Sequence, residues 1–520
     1  MIKASLFASL LGLLNSLIGF LNQLLIAKFF GSTIYLDAYF IAISIPLLFT
    51  SIVSGFFSFS VVPFLVRTKV ENPSKFREIS GFLLLIFSIF SVAIGLLACI
   101  LSPSIIIIIA PKIAYESQLI AINISRLAWI TFSLSIMFNY LSSLCNTQGR
   151  FIVPIFLGIL PTITTIISNI TLSLKFNVYS LAIGLLLGYV IILPLIYFII
   201  KDEIEIKKIR KELWIYSRSI FSTFPLILMS MLCFTIYGTV DSIFASRLGD
   251  GNLSYLGYSQ RLVVSLANII ILGPSLVLTP YLTEKHSRGE SKEFNVVLGR
   301  ALRLSCVIST FIALNLSFLR IPFTKLLFQR GAFGQESTNQ VSSLLPLMML
   351  GMIPMVGVVL IIKALHSRNS LKFPAFVGIL GSLIYYSLCD FLSRKDGLRG
   401  IGSAYAITWW IIMLISIPQI WSIREISRVC KSLENRSFYL GLFCSVSGSL
   451  LVLGVWDKLL FDRLIGNLIS DQLLDLKLFV QIATYFSLSG IVFYGLLVRV
   501  FKLKDIVYLS KFNSRLVSIK

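Results

Sequence analysis

The chain has 520 residues, of which 57% are hydrophobic and only 13% charged, and its mean hydropathy is +0.91. An ordinary soluble domain carries about 45–50% apolar and about 25% charged residues, so a soluble globular fold is excluded. The 45 Lys and Arg against 23 Asp and Glu leave a net charge of +22, which in a soluble protein would point to nucleic acid and here must first be tested against membrane topology.

Lys3 precedes an apolar run from Leu6 to Phe30. That run is longer than a signal-peptide core and lacks a small-x-small cleavage site, so it reads as a first, retained span. Windows of high hydropathy broken by short polar stretches then predict helices near 36–64, 80–102, 119–145, 151–173, 177–200, 213–238, 254–282, 299–319, 340–364, 373–393, 401–423, 438–456 and 478–498. With 6–30 these make fourteen, and fourteen spans of about 21 residues would absorb nearly all of the apolar residues. The stretch 103–111, bounded by Pro103 and Pro111, is too short to span and reads as an extension dipping along the interface. Seven cysteines (Cys99, Cys145, Cys233, Cys306, Cys389, Cys430 and Cys444) lie scattered without disulfide or metal spacing and read as small apolar packing residues.

Alternate loops differ in basic residues. The set 1–5, 67–79, 201–212, 283–298, 365–372, 424–437 and 499–520 holds 25 Lys or Arg, and the opposite set holds 12. Cytoplasmic loops carry the Lys/Arg excess, so both termini are expected in the cytoplasm and most of the +22 is an insertion signal, with no nucleic-acid partner needed. Between the sixth and seventh spans, residues 201–212 alternate charge with isoleucine at helical spacing, which predicts an amphipathic linker on the headgroups.

A repeat underlies this pattern. Ile26-Ala27-Lys28-Phe29-Phe30-Gly31 followed by Leu36-Asp37-Ala38-Tyr39 matches Phe244-Ala245-Ser246-Arg247-Leu248-Gly249 followed by Leu256-Gly257-Tyr258, at an offset of 218 at the glycine and 219 at the tyrosine. Val61-Val62-Pro63-Phe64-Leu65 matches Leu278-Thr279-Pro280-Tyr281-Leu282, and Cys145 to Pro154 matches Leu365 to Pro374, at offsets of 217 and 220. Six helices separate equivalent elements, so the halves share one orientation and form parallel repeats. The expected fold is an all-α polytopic membrane protein: an N-lobe at 1–200, a linker at 201–212, a C-lobe at 213–424, and two further helices with a basic tail at 425–520.

The same pieces carry a resemblance. Gly19-Phe20 through Gly31, Asp37-Ala38-Tyr39-Phe40, Ile45-Pro46, Gly149-Arg150-Phe151 with Pro154, Tyr258-Ser259-Gln260-Arg261-Leu262 and above all Leu326-Leu327-Phe328-Gln329-Arg330-Gly331-Ala332-Phe333 resemble the MurJ/MviN family of lipid II flippases, over most of residues 1–424. The resemblance implies fourteen helices in a two-lobe transporter of the larger group of multidrug and oligosaccharidyl-lipid exporters. It implies passage of the undecaprenyl-diphosphate-linked peptidoglycan precursor between leaflets, a groove for the lipid tail beside the last two helices, and partners among cell-wall synthesis proteins. Family members place arginines on the first and second helices to meet the substrate diphosphate. The aligned positions here are Ser16, Asn22 and Thr50, and the eighth-helix arginine, Arg261, is kept.

A charge inside the bilayer usually faces the protein interior or a water-filled cavity. Arg261 lies well inside the eighth span, and its planar guanidinium suits a diphosphate through paired hydrogen bonds; a structural ion pair is the alternative. Asp37 is a candidate substrate contact or a first-turn acid on the helix dipole. Lys28 is a cavity cation or snorkels to the interface. Asp241 and Asp390, late in the seventh and eleventh helices, with Thr408 on the twelfth, offer hard oxygen ligands for Na⁺ or a proton relay. The resemblance implies a sodium site at such positions, although the usual asparagine one turn before the second aspartate is Tyr386 here.

The expected function is flipping of lipid II from the inner to the outer leaflet, driven by the membrane potential or a coupled cation, since no GxxxxGK[ST] motif is present for ATP and no cofactor is called for. A flippase for an O-antigen or exopolysaccharide type of polyprenyl-linked oligosaccharide, or a cation-coupled exporter of the same fold, stands as the alternative. A membrane glycosyltransferase fits poorly, because it needs acids on a sizeable outer loop and the first outer loop is Gly31–Tyr35.

Overall fold

The computed structural model describes residues 2–111, 113–205, 220, 222, 224–287, 291–368, 370, 372–419, 433–455 and 474–497. These residues are overwhelmingly helical, and no β-strand occurs among them. By length and composition nine of their helices can cross a membrane, and Leu14–Phe30 and Leu442–Leu453 are shorter apolar helices. Each of the fourteen predicted spans has a helical counterpart, because in hydrocarbon a backbone must satisfy its own hydrogen bonds.

In chain order the helices are α1 (Ile2–Phe30), α2 (Ile34–Phe56), α3 (Val62–Glu71), α4 (Pro73–Ile109), α5 (Tyr115–Thr147), α6 (Ile152–Leu157), α7 (Leu160–Phe176) and α8 (Tyr179–Ile200). They continue as α9 (Phe224–Thr235), α10 (Tyr237–Ala245), α11 (Asn252–Ser287), α12 (Ser291–Phe318), α13 (Arg320–Phe328), α14 (Gln335–Ser367), α15 (Lys372–Ser416), α16 (Leu433–Val455) and α17 (Leu474–Gly495). One π-turn, Phe57–Val61, joins α2 to α3 just before Pro63, and Val62 N–H there bonds the carbonyl of Phe57.

The structure differs from expectation at 103–111 and where the spans 373–393 and 401–423 join. The stretch 103–109 is not a separate interfacial segment but the last two turns of α4, which passes through Pro103. The proline removes one backbone donor only, while the Ser102 hydroxyl bonds the Ala98 carbonyl at 2.8 Å. In the linker, Lys201–Glu203 form a single 3₁₀ turn and Ile204 is extended; the rest of the predicted amphipathic segment, 206–212, and the basic tail from 498 onward lie outside the described residues. Predicted spans 373–393 and 401–423 share α15, interrupted at Gly397, where φ is +57° and ψ −130°.

Packing resolves two compact units. One comprises Met1–Tyr258, Arg330–Ser337 and Ser370–Ile401. In it α5 packs against α2, α4 and α8, and α7 against α8. The core is aromatic: Phe57 meets Phe87 at 4.9 Å between ring centroids, Trp129 meets Phe132 edge-on, and the buried Tyr140 hydroxyl donates to the Ser80 carbonyl at 2.6 Å. Lipid gives helices no hydrophobic reason to associate, so close contact relies on small residues. Gly184 and Gly188 of α8 accordingly lie on the backbone of α7, where a Cβ on Gly184 would come within 2.6 Å of the Thr165 Cα.

The other unit comprises Ser259–Gln329, Thr338–Asn369 and Gly402–Lys520. Its α14 presents Met348, Met349 and Met352, all fully buried, and Tyr405 of α15 donates to the Met355 sulfur at 2.9 Å. Ser489 of α17 donates to Asn315 of α12 at 2.6 Å, and Ser449 of α16 donates to the Ser489 carbonyl at 3.3 Å, tying the last two helices to α12 by buried polar bonds.

Candidate functional site

Helix α1 ends because Gly31 takes a left-handed φ of +57°, with its N–H closing on the Ala27 carbonyl at 2.9 Å. Thr33 caps α2: its hydroxyl accepts from Leu36 N–H at 3.4 Å. That places Asp37 in the first turn of α2, with 6% exposure. Its carboxylate serves a different helix. It accepts the N–H of Gly251 and the N–H of Ser254, both at 2.7 Å, and the Ser254 hydroxyl as well. These are donors of the first turn of α11, which lack partners within their own helix, so Asp37 caps α11 from outside and places its negative charge at the positive end of that helix.

The octapeptide of the resemblance reaches the same place. Ala332 N–H donates to the Lys28 carbonyl at 2.9 Å, satisfying an acceptor at the C-terminal end of α1. Gly331 has φ +61°, and a Cβ there would strike the Lys28 carbonyl, just as one on Gly31 would strike that of Ala332. The Tyr258 hydroxyl donates to the Gly31 carbonyl at 2.7 Å, and its ring meets Phe333 edge-on at 5.3 Å. Ser32 and Ser337 share a hydroxyl contact at 2.7 Å. Segments about 300 residues apart in sequence thus close into one hydrogen-bonded cluster inside the first unit.

The remaining site residues are placed as follows. Lys28 keeps an exposed ammonium 5.9 Å from the Phe29 ring centre, while its carbonyl belongs to the cluster. Ser16 and Thr50 turn their hydroxyls back on their own helices, to Gly12 at 3.0 Å and Pro46 at 2.8 Å. The Asn22 Oδ1 is buried and finds no hydrogen-bond donor among the described residues. Arg261 is half-buried on α11, three residues past Tyr258. Sequence reasoning passed over two further half-buried cations inside spans, Arg303 of α12 and Lys363 of α14. A charge flanked on both sides by apolar residues was the signal available for each.

The three candidate cation ligands have these partners. Asp241 of α10 is 2% exposed, and its Oδ1 accepts the Tyr385 hydroxyl. Asp390 holds Arg394 through both carboxylate oxygens at 2.8 Å each. Thr408 belongs to the other unit, where its hydroxyl donates to the Ala404 carbonyl at 2.7 Å. Among the described residues no group of three or more His, Cys, Asp and Glu side chains is arranged to hold a metal ion.

Solved structures share this architecture. "Lipid II flippase MurJ, inward closed conformation" matches with a TM-score of 0.75 at 21% identity, covering 94% of this chain and 99% of that one. An inward-facing multidrug resistance MATE family transporter of the MOP superfamily matches with a TM-score of 0.68 at 14% identity, covering 80% and 96%. The fold is therefore that of the polytopic helical transporters. In sequence, the model of the family "Lipid II flippase MurJ" matches residues 26–453. The "Probable lipid II flippase MurJ" of Buchnera aphidicola subsp. Acyrthosiphon pisum is 26% identical over 439 residues, 82% of this chain and 85% of that protein. The chain belongs to the lipid II flippase MurJ family.

Proposed function

We propose that this chain carries lipid II from the cytoplasmic to the outer leaflet of the bacterial inner membrane by alternating access, as a transporter that makes and breaks no covalent bond. The observation that carries this reading is the cluster in which Asp37, Tyr258 and Arg330–Phe333, all within the family's motifs, tie the start of α2 to the start of α11. With both termini in the cytoplasm, as the basic loops indicate, this cluster lies on the outer side. Its hydrogen bonds then have to part each time that side opens.

Arg261 meets the substrate diphosphate: a guanidinium pairs with phosphate oxygens through two parallel hydrogen bonds. By the resemblance, Lys28, Ser16, Asn22 and Thr50 are further candidate substrate contacts, the last three without the charge that relatives place there. An inside-negative potential drives an anionic cargo outward by about 2.3 kcal/mol per charge for each 100 mV. The lipid tail stays in the bilayer beside α16 and α17.

The test is replacement. In a bacterial host depleted of its resident lipid II flippase, this chain is expected to restore growth and outer-leaflet lipid II. Failure despite good expression and membrane insertion overturns the lipid II reading and favours another polyprenyl-linked cargo.

A further inference from the structure

Arg126 of α5 is a cation within a predicted span, and neither the substrate reading nor the cluster around Asp37 uses it. One end of the first unit is a plane of charge. There the Lys69 ammonium meets the Gln148 side chain, the Arg150 guanidinium donates to the Ile199 carbonyl at 2.8 Å, and Glu205 N–H donates to the Arg77 carbonyl at 3.0 Å. The ends of α3, α4, α5 and α8 therefore share one level. A hydrocarbon core of about 30 Å takes about 20 helical residues. From the charged plane that distance runs along α4 from Glu78 to Cys99, along α5 from Thr147 back to Arg126, and along α8 from Ile200 to Tyr179. Exposed Lys175 and Asn177, at the turn between α7 and α8, mark the same level. The Cys99 thiol donates to the Arg126 carbonyl at 3.4 Å, which joins two of these levels directly. Arg126 thus stands where the hydrocarbon of the far leaflet gives way to its phosphates.

We infer that Arg126, with Asn123 one turn above it, holds the phosphate of a glycerophospholipid of that leaflet. Helix α5 packs on α2, α4 and α8, and the stripe it leaves open carries Glu116, Leu119, Asn123, Arg126 and Ile130, all exposed. Among the described residues the Arg126 guanidinium has no carboxylate and no hydrogen-bond acceptor. The acid on its own stripe, Glu116, is ten residues away, about 15 Å along the helix and out of reach. A guanidinium that faces lipid is costly in hydrocarbon unless an anion meets it. A phosphodiester has two free oxygens for two parallel N–H groups, and the Asn123 amide adds a donor. On the side towards the bilayer centre, exposed Val92 and Leu96 share a stripe of α4 with Cys99, and Ile130 lies one turn from Arg126; these offer a path for an acyl chain. Such bulky residues are not the small ones through which membrane helices approach each other, which favours a lipid over a partner helix.

The inference is independent of which lipid is carried and is tested by binding. Purified full-length protein, with Arg261→Ala as background so that the proposed substrate contact does not contribute, is titrated with dioleoylphosphatidylglycerol and the bound lipid is read by native mass spectrometry. Arg126→Gln removes no bond within the protein, so it should keep the thermal midpoint of the background protein and bind this lipid about 10-fold more weakly. Arg126→Lys should recover part of the loss. Asn123→Ala, which leaves the guanidinium in place, should weaken binding by a smaller factor. Dioleoylglycerol, with the same chains and no phosphate, should not distinguish Arg126→Gln from the background protein. Inorganic phosphate at equal concentration should not displace the phospholipid, which assigns the site to a lipid headgroup and not to a free anion. Equal affinity for dioleoylphosphatidylglycerol with and without Arg126 would overturn the inference, as would its displacement by inorganic phosphate. So would a stoichiometric membrane protein that occupies the site in place of lipid and is lost in Arg126→Gln.

Discussion

A carboxylate with 6% exposure persists among apolar helices only where donors surround it, and Asp37 has three, two from backbone and one from a hydroxyl. Asp37→Ala leaves the N–H groups of Gly251 and Ser254 without an acceptor, each at about 1–3 kcal/mol, whereas Ser254→Ala removes a single hydroxyl and costs about 1 kcal/mol. The unfolding midpoint of purified protein should therefore fall much further for the first variant than for the second, and equal midpoints would refute the cap. Two glycines of positive φ at the ends of different helices permit a sharper comparison. Gly31 and Gly149 both have positive φ, +57° and +75°, but a Cβ meets Ala332 at the first and open space at the second. Gly149→Ala should cost about 1–2 kcal/mol, the backbone strain alone, and Gly31→Ala clearly more, read by the same unfolding measurement. From the sequence, a first-turn acid was one of two readings of Asp37. Its actual donors lie 214 and 217 residues further along the chain, beyond the reach of any local pattern.

At the scale of elements, hydropathy located the spans well because bilayer thickness dictates helix length. It located their ends less well. Helix α4 runs on through Pro103, and Gly397 divides α15 without ending it, because neighbouring side chains and a single left-handed residue absorb the disturbance. The contact of α7 with α8 was legible in principle, since Gly184 and Gly188 stand four apart in an apolar run, the spacing that lets two membrane helices touch. Here a Cβ on Gly188 would meet the Thr164 hydroxyl at 2.5 Å and the backbone of Pro161. Gly188→Leu should separate this pair and reduce the yield of folded protein, while Leu187→Ala on the exposed flank should not; size-exclusion profiles of the two variants decide. Helix rotation was not legible for α15. Asp390 and Cys389 are sequence neighbours, yet one faces outward to Arg394 while the other is buried in the stripe that carries Tyr385.

For the whole molecule, basic residues divide unevenly between the predicted loops, 25 on one set against 12 on the other. On the positive-inside rule this asymmetry predicts the orientation of the loops and accounts for most of the +22 without a nucleic-acid partner. The proposed substrate contact among the charges inside the spans is Arg261. Arg261→Ala is expected to lower lipid II flipping about 10- to 100-fold, matching the loss of charge-assisted bonds worth about 1.5–3 kcal/mol. Arg261→Lys should recover only part, because an ammonium keeps the charge without the planar fork. Measured in a vesicle flipping assay at matched protein levels, an Arg261→Ala protein as fast as the parent would remove this arginine from the mechanism.

By itself the sequence determined a polytopic helical membrane protein, the position of its spans, its internal repeat and its family, since each is written in local composition or in motifs short enough to read directly. The tertiary structure alone decided that Asp37 caps α11, that Arg330–Phe333 completes the end of α1, and that Asp241 answers to Tyr385 while Asp390 answers to Arg394. The physical reason is the same in each case. A span's existence depends on its own residues and the bilayer, but the partner of a buried polar group depends on how each helix is rotated and what has been packed beside it.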